Sequence, residues 1–106
     1  MVVEVKNIFA DLPQRGDAES FFRLFQSGST KIERIVSHAH SSPPDFWYDQ
    51  PEDEWVIVLL GAAILEFEGG ESVELKAGDY LTLPRHVRHR VAHTSVETIW
   101  LAVHSK

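Results

Sequence analysis

Two short stretches carry the residues best suited to chemistry: Ser37-His38-Ala39-His40, and far downstream Pro84-Arg85-His86-Val87-Arg88-His89. Side chains on a strand alternate between faces, so histidines at i and i+2 aim at one point. Glu54 opens the apolar run Glu54-Trp55-Val56-Ile57-Val58-Leu59-Leu60, which ends at Gly61, and His89 follows a second strand punctuated by Gly and Pro. If those strands pair, three imidazoles and one carboxylate meet inside a barrel. The chain has no cysteine, so a metal would have to be held by nitrogen and oxygen alone.

The elements that must position these residues are short and mostly extended. From Thr30 to His40 the pattern has period two, with Ile32, Arg34, Val36, His38 and His40 on one face and Lys31, Glu33, Ile35, Ser37 and Ala39 on the other. This predicts a strand running from a packed core to a polar pocket, stopped by Ser41-Ser42-Pro43-Pro44. Residues 54–60 are apolar on both faces after Glu54, as in a strand buried on both sides. Further strands are expected over 62–68, 72–75, 80–83, 87–93 and 97–104, separated by Gly61, Gly69-Gly70, Lys76-Ala77-Gly78-Asp79 and Pro84. Asp17 could cap a short N-terminal helix through Gln26, or the same residues could form a strand with Phe22 and Leu24 on one face. Seven or eight short strands with little helix predict an all-β sandwich or barrel.

Length and composition set the limits. At 106 residues, one domain spanning 1–106 is expected. The net charge of −6 argues against a phosphate-backbone binder, so no nucleic-acid partner is expected. The N-terminus lacks the pattern of a secretory signal, and no window approaches the ~20 apolar residues of a membrane span. A cytoplasmic protein without a membrane partner is the expectation.

The chain resembles the cupins, small single-domain proteins of the cupin 2 type with a conserved barrel. The resemblance rests on His38-x-His40, on Glu54 followed six residues later by Gly61, and on Gly78, five residues, Pro84-Arg85-His86, two residues, His89. It covers about residues 30–103. Two departures stand out: thirteen residues separate His40 from Glu54, where the family has a spacer of about three or four, and His86 replaces a glycine. The long spacer falls in the Pro-rich connection, where insertion costs little closure entropy, and leaves Asp45 and Asp49 open as alternative carboxylates. Histidine tolerates the positive φ of a turn better than a β-branched residue does.

The resemblance implies a jelly-roll (double-stranded β-helix) barrel and one divalent transition metal held by His38, His40, Glu54 and His89. Imidazole and carboxylate suit Fe, Mn, Ni, Zn or Co, and on an octahedral ion four such ligands leave two positions for substrate or water. Arg34, on the face of the His pair, would bind a carboxylate or phosphate on the substrate. His86 or Tyr48 would move protons. Three function classes follow: a metal-dependent enzyme (oxygenase, isomerase, decarboxylase or lyase) acting on a small organic acid or sugar-like substrate, a non-catalytic module sensing a small ligand, or a structural barrel. A free-standing sensor would need a protein partner, because no DNA-binding helix accompanies it. His93 and His104 read as ordinary polar residues, and Asp79-Tyr80 as a turn and a core aromatic. Trp55, Ile57 and Leu59 on one face, Phe46, Trp47 and Tyr48 in the connection, and Trp100 offer more apolar surface than a small barrel hides, which predicts a homodimer.

Overall fold

A computed structural model describes all residues 1–106. Eight strands account for the regular structure: β1 (Ser20–Ser27), β2 (Thr30–Ser37), β3 (Asp53–Leu60), β4 (Ala62–Phe67), β5 (Ser72–Lys76), β6 (Tyr80–Leu83), β7 (His89–Thr94) and β8 (Thr98–Ser105). They form a five-stranded sheet in the order β1-β2-β8-β3-β6 and a three-stranded sheet in the order β5-β4-β7. All pairings are antiparallel. This is the expected all-β jelly roll. Residues 17–26 form no helix; β1 occupies most of that segment, the strand reading of the same residues. No helix is long and apolar enough to cross a membrane.

The core lies between the sheets. Ile35, Val56, Val58, Leu83, Trp100 and Ala102 from the larger sheet meet Ala63, Leu65 and Leu75 from the smaller. Trp100 is 3% exposed, so it belongs to this interior and not to a surplus apolar surface. Registers align the inner face in rows: Lys31, His104 and Glu54 lie side by side across β2, β8 and β3, with Glu33, Ala102 and Val56 in the next row and Ile35, Trp100 and Val58 beyond. The polar residues thus gather at one end of the barrel and the apolar ones at the other.

The β3–β4 turn depends on Gly61. Its φ is +85°, and a Cβ there would collide with the Glu97 carbonyl and the Ser95 hydroxyl. His86 also has a positive φ, +62°, so histidine does adopt the turn conformation at the position the resemblance gives to glycine.

The connection from Ser41 to Gln50 runs along β7 as a rudimentary extra strand. Ser42 N–H donates to Val91 O at 2.7 Å, Tyr48 N–H to His89 O at 2.7 Å, and His89 N–H back to Tyr48 O at 3.1 Å. These bonds satisfy the open edge of the smaller sheet. They also lay Tyr48 directly over His89.

Candidate functional site

A cavity of about 180 Å³ opens at the polar end of the barrel. Its polar lining comes from Lys31 and Glu33 on β2, Glu54 on β3, His104 on β8, His89 on β7, Glu19 just before β1, and Tyr48, Gln50 and Glu52 in the connection. Val56, Leu65, Leu83, Val91 and Trp100 close its floor. Each strand residue is on the inward parity of its strand, which is why residues far apart in sequence converge.

Of the expected metal ligands, Glu54 and His89 reach this cavity and are buried. His38 and His40 do not line it. β2 ends at Ser37, and Ala39 adopts a φ of +60°, which breaks the alternation that would have kept the pair on one face. The parity is also opposite to expectation: Lys31, Glu33 and Ile35 face the cavity, so Arg34 and Val36 face away. The two imidazoles are held by the N-terminal segment. His40 Nδ1 accepts the His38 backbone N–H at 2.9 Å, which makes Nε2 the protonated nitrogen, and Nε2 donates to Gly16 O at 2.8 Å. His38 Nε2 lies 3.2 Å from Pro13 O. No group of three or more His, Cys, Asp or Glu side chains is arranged to hold a metal ion. As folded, His38, His40, Glu54 and His89 therefore do not fit a common ion. Asp45 and Asp49 do not line the cavity either.

Arg34 likewise serves the N-terminal segment. Its guanidinium donates to Ile8 O at 3.1 Å and Ala10 O at 2.8 Å, and stacks 4.4 Å over the Phe22 ring. It is 7% exposed and unavailable to a ligand in the cavity. His86 sits on the exterior, its Nδ1 2.8 Å from Asp49 Oδ1, and does not reach the chamber. Of the two proton-moving residues named from sequence, Tyr48 alone lines it.

The electrostatics follow from burial. Desolvation, with Glu33 nearby, pushes the Glu54 carboxyl up to about 7, against weaker opposing effects of Lys31 and a hydrogen bond from Gln50. Burial also raises Glu19, whose carboxylate accepts the Ser37 hydroxyl; Ser37 Oγ in turn accepts the Trp100 indole N–H at 3.2 Å. Burial raises the Tyr48 phenol, with Glu19 and Glu54 adding to the shift. His89 is shifted down by desolvation and is neutral near pH 7. It donates from Nδ1 to Val87 O at 2.9 Å, which leaves the Nε2 lone pair as an acceptor. The rings of Tyr48 and His89 stack 5.5 Å apart.

Sequence reasoning missed Glu33, Gln50 and His104. His104 is 6% exposed, its Nε2 lies 3.1 Å from Glu33 Oε1, and the direction is wrong for a hydrogen bond, so the nitrogen has no partner. The signal was available: His104 continues the inward series Trp100, Ala102.

The sequence matches the family described as Cupin domain over residues 31–104. The chain is a cupin. A solved structure from Ralstonia eutropha JMP134, described only as a candidate mannose-6-phosphate isomerase, is 46% identical, with a TM-score of 0.92 over 98% of this chain and 99% of that one. A cupin superfamily protein from Desulfitobacterium hafniense DCB-2 shares the fold at 19% identity, with a TM-score of 0.78 over 98% of this chain and 93% of that one. The DMSP lyase DddQ from Ruegeria pomeroyi DSS-3 does so at 18% identity and a TM-score of 0.71, over 85% of this chain and 48% of that one. The Bacillus subtilis (strain 168) uncharacterized protein YdbB is 38% identical over 61 residues, 57% of this chain and 53% of that one. This cupin thus spans about half the length of the curated relative it matches.

Proposed function

We propose that this cupin binds a small, sugar-like molecule in the chamber between its sheets and catalyses proton transfer on it. The observation that carries the reading is the meeting of Glu54 and His89, distant in sequence and both buried, in one cavity. A carboxyl group pushed up to about 7 and a neutral imidazole are suited to taking and returning protons near neutral pH. In an aldose–ketose type of isomerisation, Glu54 would take the proton from the carbon beside a carbonyl, while the Tyr48 phenol supplies a proton to the carbonyl oxygen. Glu54 then delivers its proton to the former carbonyl carbon as the adjacent hydroxyl gives its own proton to the Tyr48 phenolate, which restores both groups and completes the exchange with no net oxidation.

The lining favours the sugar-like class over an organic acid. Four carboxyl groups face the cavity, and the one lysine there, Lys31, already lies against Glu33 at 3.8 Å. A carboxylate substrate would meet repulsion with no guanidinium to receive it. The candidate isomerase among the structural relatives is named for a sugar isomerisation, which supports the carbonyl-isomerising class, while the acidic lining points to the uncharged part of such a molecule as what the cavity receives. The metal-dependent form of the proposal would place a divalent ion among His38, His40, Glu54 and His89, and would require the His pair to leave Pro13 and Gly16.

The deciding experiment is turnover by untagged protein over a panel of aldoses, ketoses and their phosphates, with organic acids as controls, followed by NMR. Isomerisation of a sugar substrate supports the reading. Tight binding without product would assign the chain instead to the non-catalytic, ligand-sensing class.

We also propose that the protein is a homodimer. Tyr80, Leu24 and Phe25 are exposed, and Val2, Val3 and Val5 project from the N-terminal segment. Such apolar surface is reduced by association of like chains. A 12.0 kDa species in light scattering at micromolar concentration would refute this.

A further inference from the structure

We propose that Tyr48 and Gln50, not His38 and His40, hold the cavity-facing positions that precede Glu54, and that Tyr48, Gln50, Glu54 and His89 form a hydrogen-bonding site for an uncharged hydroxyl- or carbonyl-bearing molecule in place of a metal centre. The inference deepens the reading above and rests on it for the class of ligand. The placement of the four residues stands independently.

The spacing is the first support. Tyr48-x-Gln50 is followed by three residues and then Glu54, and Glu54 by six residues to Gly61. The thirteen-residue gap after His40 disappears when the pair is counted from Tyr48. Geometry is the second. All four side chains line one cavity, and the reciprocal backbone bonds between Tyr48 and His89 fix the first of them against the last. The third is the fate of the original pair: both ring nitrogens of His40 and Nε2 of His38 are engaged, by the His38 amide, Gly16 and Pro13. Those histidines have a structural task.

The donor set decides what the site takes. A neutral amide and a protonated phenol are poor ligands for a divalent transition ion, and Glu54 with His89 supply only two good ones. The same four groups are well matched to a polyol or carbonyl compound: Tyr48 donates, Gln50 donates and accepts, and His89 Nε2 and Glu54 accept. A second observation points to a ligand. Nε2 of His104, more than nine-tenths buried and on the cavity wall beside Glu54, makes no hydrogen bond, the Glu33 carboxylate 3.1 Å away being out of line for one. A ligand hydroxyl would satisfy it.

The test uses full-length untagged protein. Elemental analysis and calorimetric titration with MnCl2 and ZnCl2 should show no stoichiometric ion in the cavity, and the His38→Ala/His40→Ala variant should behave identically. The Tyr48→His/Gln50→His variant should gain one tightly bound ion, which a further His89→Ala change removes. Wild-type protein with one equivalent of metal that is lost in His38→Ala/His40→Ala, or in Tyr48→Phe/Gln50→Ala, would overturn the proposal. So would a folded Tyr48→His/Gln50→His protein that gains nothing. Should that double variant not fold, the wild-type titration and its two alanine-series controls decide alone. Thermal-shift binding of neutral polyols and ketoses is the separate arm: its failure beside a metal-free wild type removes the substrate reading and the ligand class, and leaves the residue placement intact.

Discussion

Glu54 and His104 face each other across β3 and β8 as direct cross-strand partners on the inner wall of the barrel. Glu33 lies 3.1 Å from His104 on the adjoining strand. Two carboxyl groups thus flank one buried imidazole; desolvation first, and then the nearby Glu33 charge, push the Glu54 carboxyl up to about 7.

Glu54 therefore makes stability depend on pH. Its folded value of about 7 lies above the ordinary 4.5, so between those limits the native state holds more protons than the unfolded one. The protonated group's contribution is fully present below pH 4.5 and is lost as pH rises through 7. The shift corresponds to about 3 kcal/mol at most. Glu54→Gln should remove this dependence and make the protein more stable than wild type at pH 8 by up to that amount. Urea unfolding at pH 5 and pH 8 measures it; parallel stability losses in the two proteins would refute the assignment.

His104 should matter to binding more than to folding. Its Nε2 is buried without a hydrogen bond, so an apolar replacement of similar size removes an unsatisfied group whose burial costs about 1–3 kcal/mol. His104→Leu is expected to keep or raise the melting temperature and to weaken polyol binding about tenfold, the loss of one hydrogen bond. A large fall in melting temperature would mean that contact with Glu33 is the residue's main role.

Most of the barrel was readable because its strands alternate cleanly and its turns are marked by Gly61, Gly69-Gly70, Gly78 and Pro84. The same alternation brings Glu54 and His89 to one cavity. β2 was assigned the wrong parity because its two faces look alike: Ile35 faces the core, while Val36 on the other face is also fully buried. Arg34 and His38 on that outer side bond the N-terminal segment, which explains how a face turned away from the core can be as apolar as one turned toward it. The positive φ of Ala39 left no mark in composition. Gln50 was overlooked because an amide in a Pro-rich connection has no signature until the connection is seen to pair with β7.

Gly61 should tolerate no side chain. A methyl group would need positive φ and would overlap the Glu97 carbonyl, a backbone atom that cannot move aside independently. Gly61→Ala is expected to cost about 1–3 kcal/mol from backbone strain, with steric overlap in addition. Because the turn leads directly from β3 into β4, calorimetry should show a lower melting temperature, while Gly69→Ala, with nothing within 4 Å of the added carbon, changes little.

The N-terminal segment is held mainly by side chains that sequence reasoning had given to the active site. Arg34 binds the carbonyls of Ile8 and Ala10, His38 lies against Pro13, and His40 donates to Gly16. These contacts fasten the chain from residue 8 to 16 along the outside of the barrel, where no regular structure restrains it. Replacing Arg34 with alanine leaves those carbonyls to water and should cost about 1–3 kcal/mol for the lost charge-assisted bonds and packing. His38→Ala/His40→Ala should release the remainder of the segment with a smaller loss. In both variants, limited trypsin digestion should cut after Lys6 or Arg15 faster than in wild type, while amides of β3 and β8 keep their hydrogen-exchange protection. Unchanged cleavage in the His38→Ala/His40→Ala protein would show that the pair does not anchor the segment.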